Sequence, residues 1–137
     1  MNIRKELWKL GKILVVDDQI GVRRLLAEIF KQDHKVLMAE NGMEALRLFI
    51  PFKPDLIFMD MKMPGMNGIQ TLEKIRALDR RVELIMMSAY GDIQNMEQAK
   101  DLGIRYFVDK PFDLFELRER VSVIFNSPGI INKALTN

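Results

Sequence analysis

Asp17 and Asp18 close one apolar run of the chain, KILVVDD, and Asp60 closes another, DLIFMD. Ser88 closes VELIMMS, and Lys110, followed by Pro111, closes IRYFVDKP. These are the residue types that hold a divalent cation and a phosphoryl group. Magnesium takes oxygen ligands in near-octahedral geometry and keeps several waters. Two adjacent aspartates can supply one direct and one water-mediated ligand, and Asp60 a further one. Clustered carboxylates repel, so such a group calls for a cation. Lys110 would offset part of the charge of an incoming phosphoryl group. Phosphoryl transfer needs mainly positioning and charge stabilisation. Asp60 is the candidate nucleophile, because an acyl phosphate is a transferable intermediate. Ser88 would then hydrogen-bond a phosphoryl oxygen. Singly, each residue has a plainer explanation: a turn, a helix cap for Asp18, a solvated surface lysine. Together, all at the ends of apolar runs, they are hard to dismiss.

For these groups to meet, the runs must be parallel strands sharing one edge, where ligands bind in open α/β sheets. The pattern agrees. Strand-like segments at 12–17, 35–39, 56–59, 82–87 and 104–108 alternate with helical stripes. Val22, Leu25, Leu26, Ile29 and Phe30 mark the first helix, over 19–31. Ala45, Leu46 and Phe49 mark the second, with Pro51 and Pro54 bracketing its exit. Ile69, Leu72, Ile75, Arg76 and Leu78 continue as the third. Ile93, Met96, Ala99 and Leu102 mark the fourth, ended by Gly103. Leu114, Leu117, Val121 and Ile124 mark the last, with Asp113 and Glu116 as its capping box. Five β-α units predict a single doubly wound α/β domain with sheet order 2-1-3-4-5. It is predicted to span 12–126, with an N-terminal extension over 1–11 and a tail over 127–137.

Composition bounds the alternatives. The chain has 137 residues, 48% hydrophobic and 29% charged, which fits one globular domain. Its 21 basic and 19 acidic residues leave a net charge of +2, too small to point to nucleic acid. The absence of cysteine excludes disulfides, thiolate metal sites and a cysteine nucleophile. No apolar run reaches the roughly 20 residues of a membrane span, and the N-terminus lacks the apolar stretch of a signal peptide. A cytoplasmic protein without membrane or nucleic-acid partners is expected. Met59, Met61, Met63 and Met66 read as packing residues rather than soft-metal ligands. His34, the single histidine, lies away from the active edge.

The motifs VVDDQ, MDMKMPGMNG, MSAYG and DKPF resemble those of the response-regulator receiver domain, over about residues 11–125. The resemblance implies a flavodoxin-like fold in which Asp60 is phosphorylated by a sensor histidine kinase. Asp17, Asp18, Asp60 and the backbone carbonyl of Lys62 would hold Mg2+, with Mn2+ as a substitute. Lys110 would contact the phosphoryl group through a cis Lys110–Pro111 bond, and Ser88 and Phe107 would be the switch pair. Gln19, Gly21, Val22, Leu25, Tyr90, Pro111, Phe112 and Leu114 would dock a four-helix bundle bearing the donor or acceptor histidine. Lys62 and Tyr90 flank the site at positions that influence hydrolysis, and neither orients an attacking water well, so slow self-dephosphorylation is expected.

KILVVDDQIGVRRLL, DMKMPGMNGI, SAYGD and KPFDLFELR further resemble a stand-alone relay member from spore-forming bacteria. That implies a phosphorelay intermediate, a phosphotransferase in activity, that hands its phosphoryl group to a histidine phosphotransferase and controls the initiation of sporulation. Where that member has threonine and histidine, this chain has Ser88 and Phe107. A single-domain switch that binds a target protein when phosphorylated shares every motif and is the alternative. A magnesium-dependent aspartyl phosphatase fits less well, since the chain leaves no room for a cap segment. A monomer is expected, although Phe115, off the stripe of the last helix, is a candidate for weak self-association.

Overall fold

The computed structural model describes residues 11–89 and 96–126. Residues 1–10, Tyr90, Ile93 and the predicted tail over 127–137 lie outside the described residues. The elements run β1 (Lys12–Val16), α1 (Ile20–Phe30), β2 (Lys35–Ala39), α2 (Gly42–Phe52), β3 (Leu56–Asp60), α3 (Gly68–Leu78), β4 (Glu83–Ser88), α4 (Met96–Ala99), β5 (Tyr106–Asp109) and α5 (Leu114–Phe125). A 3-10 turn, Lys100–Leu102, extends α4.

All strand pairs are parallel, in the order β2-β1-β3-β4-β5. Strands covered on both faces read as continuous apolar runs, and every residue of β3 is buried. Alternation then divides the core. Ile13, Val15, Phe58 and Met87 face Leu26, Phe30, Val121 and Ile124 of α1 and α5. Leu14, Val16, Met59 and Met86 face the layer with Phe49, Leu72, Ile75 and Leu102. Register carries the strand ends to one edge: Val16 pairs with Met59, Asp60 with Met87, and Ser88 with Asp109.

The exit of α2 falls between Pro51 and Pro54, as read from the sequence: the helix runs through Pro51 to Phe52, and Lys53 closes it in the left-handed conformation, its N–H on Phe49 O. Other local details differ from the pattern reading. Asp113 accepts the N–H of Glu116, but the Glu116 carboxylate turns to Arg120 at 2.6 Å, so the predicted box is half formed. A complete capping box stands instead on α3, between Asn67 and Gln70. β5 starts later than predicted, because Tyr106 is the first residue in register with β4. Met59, Met61 and Met63 pack in the core, as read from the sequence.

Candidate functional site

Asp17, just past β1, is fully buried, and its backbone N–H continues the ladder to Ala39 O. One carboxylate oxygen accepts the Gln19 N–H at 2.8 Å, orienting the side chain at the entry to α1. Arg23, one turn into that helix, donates to Asp17 O at 2.8 Å. The N-cap of α1 is Gln19, so Asp18 does not cap it; Asp18 is exposed beside the other acids. Asp60 ends β3 and is 5% exposed. Gly68 lies directly under it: a Cβ at Gly68 would collide with Asp60 O. A glycine lets α3 start against the strand that carries the aspartate.

Oxygens of Asp17, Asp18 and Asp60 lie within 4.8 Å of one another. Lys110 crosses from β5 to meet them. Its Nζ is 2.7 Å from Asp17 Oδ2, 3.3 Å from Asp60 Oδ1 and 3.4 Å from Gln19 Oε1. The Lys110–Pro111 bond is cis. One ammonium does not balance three carboxylates. Burial first, and then the charge of Asp17, push the Asp60 pKa up to about 6 against the pull of Lys110. Burial opposes the Lys110 charge, but its hydrogen bond to Asp17 and the charge of Asp60 outweigh that and hold it above the usual lysine range. The donor set is all oxygen, crowded and short of positive charge, which fits a hard divalent cation.

Beside the acids runs an apolar groove of about 730 Å3. Gln19, Gly21, Val22 and Leu25 line it from the start of α1, and Pro111, Phe112 and Leu114 from the start of α5. It reaches Asp18, Asp60, Lys62 and Lys110. Leu25 is 40% exposed, while Val22 is half-buried and packs on the core under α1. Leu114, on the apolar stripe of α5, is 41% exposed where it lines the groove. Ser88 is buried at the end of β4; its hydroxyl donates to Asp109. Phe107 and Phe115 are exposed, and His34 packs on Phe30 and Phe125 beneath α1 and α5. The pattern reading missed Asp109, Arg23 and Gly68. Asp109 carried a signal, since it precedes Lys110 at a strand end; Arg23 and Gly68 carried none.

The response regulator receiver domain family matches residues 13–122. The chain belongs to that family. It is similar to sporulation initiation phosphotransferase F of Bacillus subtilis (strain 168), 42% identical over 111 residues, covering 80% of this chain and 90% of that protein. It is also similar to the chemotaxis protein CheY of the same organism, 33% identical over 117 residues, covering 84% and 98%. Among solved structures, response regulator protein TrrA of Thermotoga maritima in complex with Mg2+-BeF matches at a TM-score of 0.74 and 32% identity, covering 84% and 99%. Receiver domains bind Mg2+ at an acidic pocket and work with histidine kinases and phosphotransferases, and this receiver domain has the aspartate cluster such a pocket needs. Among the described residues, no helix is long and apolar enough to cross a membrane.

Proposed function

We propose that this receiver domain, spanning 12–126, is a cytoplasmic, monomeric phosphorelay intermediate with Asp60 as its phosphoacceptor. The observation that carries the reading is Lys110 Nζ set between Asp17 and Asp60, where the acids open onto an apolar groove. An Asp60 carboxylate oxygen attacks the phosphorus of a phosphohistidine. The P–O bond forms as the P–N bond breaks, and the electron pair returns to the imidazole. Lys110 follows the phosphoryl oxygens, and the Ser88 hydroxyl turns to donate to one of them. In the onward step the acceptor's imidazole attacks and Asp60 leaves as a carboxylate.

Asp17, Asp18, Asp60 and the backbone carbonyl of Lys62 would hold Mg2+ or Mn2+. When bound, the ion offsets the charge of the carboxylates and the phosphoryl group. Similarity to sporulation initiation phosphotransferase F supports a relay role in sporulation. The groove suits a four-helix bundle, because its apolar walls flank the acids. Leu25→Ala is expected to leave stability within about 0.5 kcal/mol, as for exposed positions, and to suppress transfer to the bundle. Lys62 stands at the rim, exposed, and is no orienter of water, in keeping with slow self-dephosphorylation.

The test is phosphoryl flow. The chain is loaded with a small phosphodonor and Mg2+, beside Asp60→Asn, and a histidine phosphotransferase is added. Label that reaches Asp60 and passes onward supports the relay. Label that stays on Asp60 favours the second reading, a phosphorylation-dependent switch, which similarity to CheY supports. No label in the native chain overturns both.

A further inference from the structure

Ser88 is 2% exposed and has a single proton to donate. Its Oγ lies 3.1 Å from Asp109 Oδ1, with the Val108 carbonyl oxygen 3.5 Å away as a marginal second acceptor. The sheet builds this contact. Ser88 and Asp109 are register partners across β4 and β5, so their side chains leave the same face. The Lys110 N–H, 2.9 Å from Ser88 O, locks the two strand ends together. A carboxylate oxygen accepts this proton, and because Asp109 is itself exposed the bond is of ordinary rather than charge-assisted strength.

We propose that Asp109 is a latch on the Ser88 hydroxyl: a positioning residue that holds the unphosphorylated arrangement and sets how readily the domain switches. It rests on the role proposed above for Ser88. One proton cannot serve both Asp109 and a phosphoryl oxygen on Asp60. Turning toward Asp60 therefore means giving up Asp109. The affinity of the site for a phosphoryl group is reduced by the fraction of molecules that remain latched. Phe107, two residues earlier on β5, shares the face of Ser88 and Asp109, so release of the hydroxyl changes its surroundings.

The experiment measures Mg2+-dependent beryllofluoride binding by calorimetry in the full chain, Asp109→Ala, Ser88→Ala and the double variant. Amide chemical shifts of Phe107 and Ser88 are followed alongside. Asp109→Ala is expected to tighten binding about three- to tenfold, the worth of one released hydrogen bond. It is expected to have no effect in the Ser88→Ala background. Without ligand, the shifts of Asp109→Ala should already lie toward those of the beryllofluoride-bound native chain. Equal tightening in both backgrounds would mean that Asp109 acts only through its charge and would overturn the latch. Unchanged binding would overturn it too. Native chain that shows no binding dependent on Asp60, with Asp60→Asn as the control, removes the functional reading itself and the latch with it.

Discussion

Aspartates at the two ends of the sheet live in opposite surroundings. At the end where the strands begin, Asp55 accepts the Lys12 N–H at 3.0 Å, and its own N–H donates to Lys12 O. Asp79 accepts the N–H groups of Arg81 and Val82. Nearby, Arg76 threads a ring of backbone carbonyls, with Leu102 O and Val82 O each at 2.6 Å and Gly103 O at 3.3 Å. At the end where the strands finish, Asp17, Asp18 and Asp60 face one another across a single lysine. The first set ties loops with groups whose hydrogen bonds are met. The second is left short of positive charge, which makes it ready for a cation and a phosphoryl group and poor at holding the fold together.

The largest effect is expected from the end that braces. Arg76→Ala should destabilise the fold by about 2–4 kcal/mol, because carbonyls around a half-buried guanidinium lose charge-assisted bonds. Denaturant unfolding measures it. Arg76→Lys should recover little, since one ammonium cannot match the guanidinium fork. Phosphoryl labelling of Asp60 in the folded fraction should be untouched. Loss of label well below the melting temperature would show that the two ends are not separable.

The opposite sign is expected at the functional end. Folded Asp60 has its pKa raised from 3.8 to about 6, so the folded state holds more protons between those values. Stability therefore falls as pH rises from about 4 to about 6, and the full penalty is present above that. Asp60→Asn removes it. At neutral pH and without Mg2+, the variant should be more stable than the native chain by about 1–3 kcal/mol, at about 1.4 kcal/mol per pKa unit. The gain should vanish near pH 4. Added Mg2+ should stabilise the native chain and not the variant. An Asp60→Asn variant less stable than the native chain at pH 7 would break the comparison.

This contrast was only partly legible in the sequence. Strands and helices were, because buried strands are continuous apolar runs and the helices show a 3.6-residue stripe. Asp17, Asp18, Asp60, Ser88 and Lys110 stood out because strand ends share an edge once the topology is known. Which carboxylate Lys110 would grip most closely was not legible. Lys110 bonds Asp17 across 93 positions, a choice set by side-chain reach and charge rather than by local pattern. Arg76 looked like one more polar residue of a helix, since its acceptors are backbone carbonyls from other elements and carry no residue signature. The Ser88–Asp109 contact needs the β4–β5 register, which the apolar runs alone leave open by a residue.

The smallest effect belongs to His34, and it tests whether the bracing end is free of titration. His34 is 7% exposed, packed 4.4 Å from the Phe125 ring, and lined up so closely with Gly11 that a Cβ there would meet its Nδ1. Burial lowers its pKa, and neighbouring Asp33 opposes this only in part. Here the unfolded chain binds the proton more readily, so stability falls as pH drops through the unfolded value near 6.5. Asp60 works the other way over an overlapping range and would mask it. The measurement is therefore the stability of Asp60→Asn between pH 7.5 and 5, with and without His34→Gln. Asp60→Asn should lose stability toward acid, and the double variant should lose less, whatever the replacement does to packing at pH 7.5. Parallel curves would show that His34 keeps its ordinary proton affinity when folded, and that acid sensitivity at this end has another source.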